Sequence, residues 1–343
     1  MHKNNFDFLR LLLAIFVIIT HSYPLSGILE NDWLSQISKQ QASFSTIGVW
    51  GFFSISGYLI YQSLTRSKTI FEYYWKRILR LFPALFFVLL LTVVLGVFVY
   101  NSDFIHYIRN KSVWTYLPLN LSLFRLQFSI DGIFANNPYK SIINGSLWTL
   151  SYEFLFYFLI SLLFFFKTGM RNLLVCFVFA GLLLSRLFFF KELGKYGFVL
   201  SGDHLLSLGT CFFSGSLMAS LKTNEWSSMF KIILVISGII ILIVSTYLGY
   251  CIPMQVILLP PIVILIGTLS TKYINSLSTT LGDLSYGMYI YAYPVQQTLM
   301  HFFKLNYLQL MFAATILSAF FAYLSWHLIE KKALSLKNIV LLR

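Results

Sequence analysis

Acidic side chains are rare in this chain. Asp and Glu together number 12 among 343 residues, and charged residues of both signs make up only 11%. A soluble domain carries about a quarter charged residues, so an ordinary soluble protein is excluded. Cysteine is as scarce. Cys176, Cys211 and Cys251 stand alone in apolar segments, with no CxxC and no Cys/His cluster. That argues against a disulfide framework and against structural zinc, and no metal site is expected. The sequence also lacks low-complexity segments, RNA- or DNA-binding motifs, and the inverted repeats that many transporters show. With nucleic acid set aside, the net charge of +13 reads as Lys and Arg in cytoplasmic loops. Their expected partner is anionic membrane lipid.

Apolar side chains are abundant instead. The chain is 58% hydrophobic with 35 Phe, and its mean hydropathy is +0.76. Such runs predict an all-α integral membrane protein with about ten transmembrane helices. The spans fall at about 6–24, 46–64, 81–100, 146–166, 172–190, 203–221, 231–250, 254–270, 284–303 and 308–328. Between them lie polar loops at about 25–45 and 101–145, and a stretch at 66–80 with five basic residues. The basic residues of 66–80 share a side with Lys3 and Arg10, which puts both termini in the cytoplasm. The first run is not read as a cleavable signal, because Arg10 interrupts it and further spans follow. Residues 1–330 then form one transmembrane domain and 331–343 a short basic cytoplasmic tail. The expected location is the cell inner membrane, multi-pass.

Ionisable groups inside such spans mark function by default. Arg10 and His21 lie on the first span, eleven residues apart. At about 100° per residue they face nearly the same way, about 16 Å apart along the axis. A polar path down one stripe is one reading. The other places Arg10 at the cytoplasmic headgroups and His21 at the opposite interface. Arg77 and Arg80, three residues apart where a basic aromatic stretch reaches the third span, are neighbours on a helix. Two guanidinium forks there suit phosphates, although basic anchors at an interface look the same. Ser54, Ser56 and Gly57 fit close helix packing, or backbone approaching a ligand near Ser56 and Gly57. Glu153 sits a few residues into an apolar helix, where a cationic partner such as Arg10, Arg77 or Arg80 is expected for it, unless it lies near the outer interface, where little compensation is needed. Asp203, Asp283 and Ser285 read as helix caps.

Taken together, these stretches resemble acyltransferase family 3, the membrane-bound O-acyltransferases. Arg10 and His21 match the family's Arg-x10-His pattern. GVWGFFSISGYLI, residues 48–60, is similar to its FF-x-x-SG-[FY]-LI segment. KRILRLFPA, residues 76–84, is similar to R-x-x-R-[LI]-x-P through Arg77 and Arg80. LWTLSYEFLFY resembles W-[ST]-L-x-x-E through Trp148, Leu150 and Glu153. SYGMYIYAYPVQQ and IEKKAL resemble the closing motifs. Two departures stand out. Ala292 replaces the histidine that many members carry before the aromatic-Pro pair of the ninth helix, and His301 is too far along to substitute. Larger members also carry a periplasmic hydrolase-like domain, which is not expected here.

The resemblance implies an integral-membrane O-acetyltransferase. It would move an acyl group, acetyl above all, from cytoplasmic acyl-CoA to a sugar hydroxyl of a cell-envelope polysaccharide or lipid-linked glycan, such as an O-antigen. His21 would be base or acyl carrier, with Arg10 and Glu153 as catalytic partners. Arg77, Arg80 and Arg10 would bind the donor. Ser56, Gly57, Trp148, Tyr152 and Tyr289 would line the substrate path. The alternatives are a flippase of lipid-linked sugars, or an acyl-group translocator serving a separate periplasmic transferase.

Overall fold

A backbone in hydrocarbon has no water to bond, so each apolar run closes its own N–H to C=O ladder. The computed structural model describes residues 4–195, 200–271, 274 and 281–337. Among them are ten long helices: α1 Phe6–Leu25, α2 Phe44–Arg66, α3 Ile70–Val99, α4 Trp148–Ser161, α5 Thr168–Phe188, α6 Gly202–Ser220, α7 Ser228–Tyr247, α8 Cys251–Gly267, α9 Ser285–Phe303 and α10 Tyr307–Ser325. They follow the expected spans in order. A π-helical turn, Trp326–Glu330, carries α10 on into Lys331–Ser335. The end of the basic tail, 338–343, lies outside the described residues.

Seven of these helices are long and apolar enough to cross a membrane, counting α4 as Gly145–Phe165 and α10 as Tyr307–Ser335. The other three are α6, α8 and α9. Of these, α8 has only 17 residues. Both α6 and α9 are buried along most of their length and rich in Ser, Gln or Tyr. Lipid demands hydropathy only of the faces it touches, so enclosed helices can be polar. On α7 the reverse holds, with Ile236, Ile240 and Ile243 exposed.

The start of α3 lies ahead of the span expected at about 81–100. The helix begins at Ile70, so Arg77 and Arg80, expected as neighbours on a helix, lie inside it. Local chemistry explains this. Thr69 Oγ1 accepts from the Glu72 amide at 3.1 Å, and the Glu72 carboxylate accepts from the Lys68 amide at 2.8 Å. The T-x-x-E pattern satisfies the helix start well before the apolar run begins. Asp203 also departs from its expected role. It lies in the first turn of α6, where its charge suits the helix dipole, while Ser201 holds the cap position.

The chain divides into two compact units. One comprises Met1–Leu13, Trp33–Tyr73 and Tyr152–Thr280, the other Ala14–Asp32, Tyr74–Ser151 and Leu281–Arg343. The first is centred on the crossing of α2 and α6. A methyl group at Gly57 would overlap the Phe212 carbonyl oxygen, and one at Gly215 would overlap that of Ser54. Ser216 Oγ donates to the Gly57 carbonyl at 3.0 Å and sews the crossing together. Gly57 therefore serves helix packing, and the substrate-path role expected for it gives way to that close approach. Phe53, Phe156, Phe212 and Phe213 fill the adjoining core.

The second unit is centred on α9. Its Gly287 packs on Ala322 of α10. Ahead of α4, the long loop contains short helices Phe104–Arg109 and Lys111–Leu121, tied by isolated bridges from Tyr100 to Ile133 and from Ser129 to Ile142. This loop is fastened to α9 by Gln297. The Gln297 amide donates to the Tyr139 and Ile142 carbonyls at 2.9 and 2.6 Å, and its oxygen accepts from Asn137 at 2.7 Å.

Candidate active site

His21 lies in the second unit, on the last turns of α1. It is half-buried, and its ring meets Tyr293 of α9 edge-on, with centroids 5.6 Å apart and planes at 75°. Among the described residues neither ring nitrogen has a hydrogen-bond partner. The backbone around it is held firmly. Gln296 Nε2 donates to the Ile18 carbonyl at 3.1 Å and to Ser22 Oγ at 2.9 Å, and Ser22 Oγ donates to the same carbonyl at 2.8 Å. One turn of α1 is thus clamped to α9 on either side of the imidazole. Nearby, Tyr289 and Thr149 hydroxyls pair at 2.8 Å, and half-buried Trp148 opens α4.

The wall opposite Tyr293 is built by a proline. Pro294 has no N–H, which leaves the Ile290 carbonyl without its helical donor. Asn144 Nδ2 supplies the bond at 2.9 Å, while Asn144 Oδ1 accepts from the Ser146 amide at 3.1 Å. Asn144 is fully buried. It sets Gly145 against the Tyr293 ring, where a methyl group at Gly145 would lie 2.7 Å from Cε2. Asn144→Ala should destabilise the protein by about 1–3 kcal/mol, because two buried backbone groups lose their partner. In a Pro294→Ala background residue 294 regains its N–H, and the cost should be clearly smaller. Thermal unfolding of the four detergent-purified proteins checks this, and equal costs in both backgrounds would refute it.

The arginines lie in the same unit. Arg80 is paired with Asp283 at 2.5 Å and with Glu330 at 3.5 Å. Its guanidinium also sits 5.8 Å from the Tyr286 ring centre and 5.9 Å from that of Trp326. Leu284 holds the cap position of α9, and Asp283 just ahead of it accepts at Oδ1 from the Ser285 amide at 3.3 Å and from the Ser285 hydroxyl at 2.5 Å. Two carboxylates thus balance Arg80. Arg77, one turn earlier and half-buried, is the other fork of the pair.

Arg10, Ser56, Tyr152 and Glu153 belong to the first unit. The cationic partner expected for Glu153 is not what the structure shows. Its Oε1 accepts from Ser56 Oγ at 3.0 Å and from the Tyr157 hydroxyl. Two hydroxyls donating to one oxygen hold the carboxylate without neutralising it. Tyr152 is occupied elsewhere: its hydroxyl accepts from the Ser201 amide at 2.8 Å, at the start of α6.

An apolar helix bearing an uncommitted imidazole, in a unit that also holds Arg77 and Arg80, suits acyl transfer between a charged donor and a hydroxyl. A family model described as an acyltransferase domain matches residues 3–328. The chain belongs to acyltransferase family 3. It is 32% identical to the O-acetyl transferase of Shigella phage Sf6 over 339 residues, which cover 98% of this chain and 97% of that one. It is also 34% identical to nodulation protein 10 of Rhizobium leguminosarum bv. viciae over 181 residues, covering 47% and 44% of the two chains. No solved structure matches it.

In this family 3 acyltransferase His21, Trp148, Tyr289, Arg77 and Arg80 all belong to the second unit. The residues that position them were missed from sequence. Glu330 sat unremarked in the IEKKAL motif, and the paired glutamines 296 and 297 were read only as part of a closing motif. Each had a visible signal, a polar group in an apolar run. Asn144 had a weaker one, a capping residue ahead of a helix.

Proposed function

We propose that this chain is an integral-membrane O-acetyltransferase. It moves acetyl from acetyl-CoA to a hydroxyl of a cell-envelope glycan, across the inner membrane, with both termini in the cytoplasm. Full-length similarity to a phage O-acetyl transferase supports the reaction class. The observation that carries the reading is His21, an imidazole on a membrane-spanning helix with neither nitrogen engaged among the described residues.

In this reading His21 accepts the proton of the sugar hydroxyl as the oxygen attacks the thioester carbonyl. The C–O bond forms, the C–S bond breaks, and the proton is passed to the departing CoA thiolate. Histidine suits the task because its ordinary pKa lies near neutrality. Guanidinium groups bind the donor's phosphates. Arg77 and Arg80, one turn apart on α3, are the guanidiniums this reading assigns to that task. Glu153, Ser56 and Tyr157 form a second polar group within the first unit.

The test supplies purified protein and envelope glycan with acetyl-labelled CoA. Label should appear in base-labile esters on the glycan, together with free CoA. A flippase of lipid-linked sugars would consume no thioester, and intact acetyl-CoA after incubation would end the proposal.

A further inference from the structure

The unit that holds His21 contains buried polar atoms without a hydrogen-bond partner among the described residues. Gln296 is fully buried, and its Nε2 is spent on Ile18 and Ser22, but its Oε1 has no hydrogen-bond partner. The amide orientation is not arbitrary, because the Ile18 carbonyl can only accept and so must face the NH2. Ser146 Oγ, 1% exposed by residue, is likewise without a partner. Both residues are neighbours in the chain of groups that meet Tyr293 or hold its helix. Gln296 stands one turn further along α9, and Ser146 follows Gly145, whose Cα faces the Tyr293 ring. Buried polar atoms without partners cost free energy, and at a site they are commonly satisfied by a ligand.

Their chemistry narrows that ligand. A carboxamide oxygen accepts only, and a serine hydroxyl both donates and accepts. Neither carries charge. Such a pair suits a neutral molecule with several hydroxyls, not a diphosphate. The guanidiniums of the same unit lie on α3, at positions 77 and 80, and suit the anionic donor.

We infer that Gln296 and Ser146 form the acceptor subsite of the reaction proposed above. Gln296 Oε1 and Ser146 Oγ bind sugar hydroxyls neighbouring the one that is acetylated. Gln296 thereby has two tasks: its NH2 holds the α1 turn that carries His21, and its oxygen reads the acceptor. The inference rests on the reading of His21 as the base.

The experiment compares acceptors. Purified protein receives acetyl-labelled CoA with cyclohexanol, or with one of a panel of methyl hexosides and methyl 6-deoxyhexosides. A subsite that reads neighbouring hydroxyls makes the wild type prefer its best glycoside over cyclohexanol. Ser146→Ala removes no bond within the protein. It should lower that preference by about three- to tenfold, the worth of one neutral hydrogen bond, without changing transfer to cyclohexanol or the KM for acetyl-CoA. Gln296→Met should lower both transfers through His21, yet lower the glycoside's further by a similar factor. A preference unchanged in both variants, or no glycoside better than cyclohexanol, overturns the subsite while leaving the acyltransferase intact. Transfer by the wild type to no alcohol at all would overturn both.

Discussion

Changing His21 to alanine should abolish glycan acetylation and leave the protein folded in the membrane. The expected loss is about 10²–10⁴-fold in turnover, the usual contribution of a positioned acid–base group. Stability should barely change. Among the described residues His21 makes no hydrogen bond, and its edge contact with Tyr293 is its one ring interaction there. The α1 turn around it is held by Gln296 and Ser22, not by the imidazole. Loss of function without loss of fold separates a reacting group from a packing group. The measurement is label in glycan esters, together with the amount and thermal midpoint of purified protein. Normal acetylation by this variant at normal expression would remove His21 from the chemistry.

The helical fold was legible because hydropathy reports what lipid touches. It was least informative where helices are enclosed, and α6 and α9 are polar for that reason. The early start of α3 was hidden by its charge. Lys76, Arg77 and Arg80 kept the expected span from starting before about 81, although Thr69 and Glu72 carry the helix-start pattern just ahead of them. The types of the site residues were legible, but their partners were not. Pro294 announces that the Ile290 carbonyl needs a donor, yet nothing local names Asn144, 146 positions earlier. For Glu153 the search for a cation overlooked hydroxyls as sufficient partners, including Tyr157 one turn away on its own helix. Gly57 was read two ways, and the carbonyl of Phe212 occupies the space a ligand would need. Side-chain type survives in sequence, whereas long-range pairing depends on helix rotation, which a periodicity of 3.6 fixes only loosely.

Arg80→Met should cost about 3–5 kcal/mol of stability, the largest structural effect expected of any single change here. The reason is what it leaves behind. Glu330 has a side chain only 2% exposed, and Asp283 is 14% exposed. Without the guanidinium both would hold negative charge in a poorly hydrated place, and the Tyr286 and Trp326 rings would lose the cation they flank. The π turn that brings Glu330 back towards Arg80 would lose its purpose. If the penalty is uncompensated charge, removing the charges should restore stability. The triple variant Arg80→Met, Asp283→Asn, Glu330→Gln should recover most of the loss, because an amide oxygen in place of the Asp283 carboxylate can still accept from the Ser285 amide. Arg77→Met provides the contrast. It leaves the pairs of Arg80 with Asp283 and Glu330 in place and should raise the KM for acetyl-CoA. Thermal unfolding and donor kinetics on the three proteins decide the division of labour. If Arg80→Met is as stable as wild type and only the donor KM rises, Arg80 grips phosphate and the carboxylates are bystanders. If stability falls and the triple variant regains it, the two arginines, one turn apart on α3, have separate tasks: one locks the helix ends together and the other binds the donor.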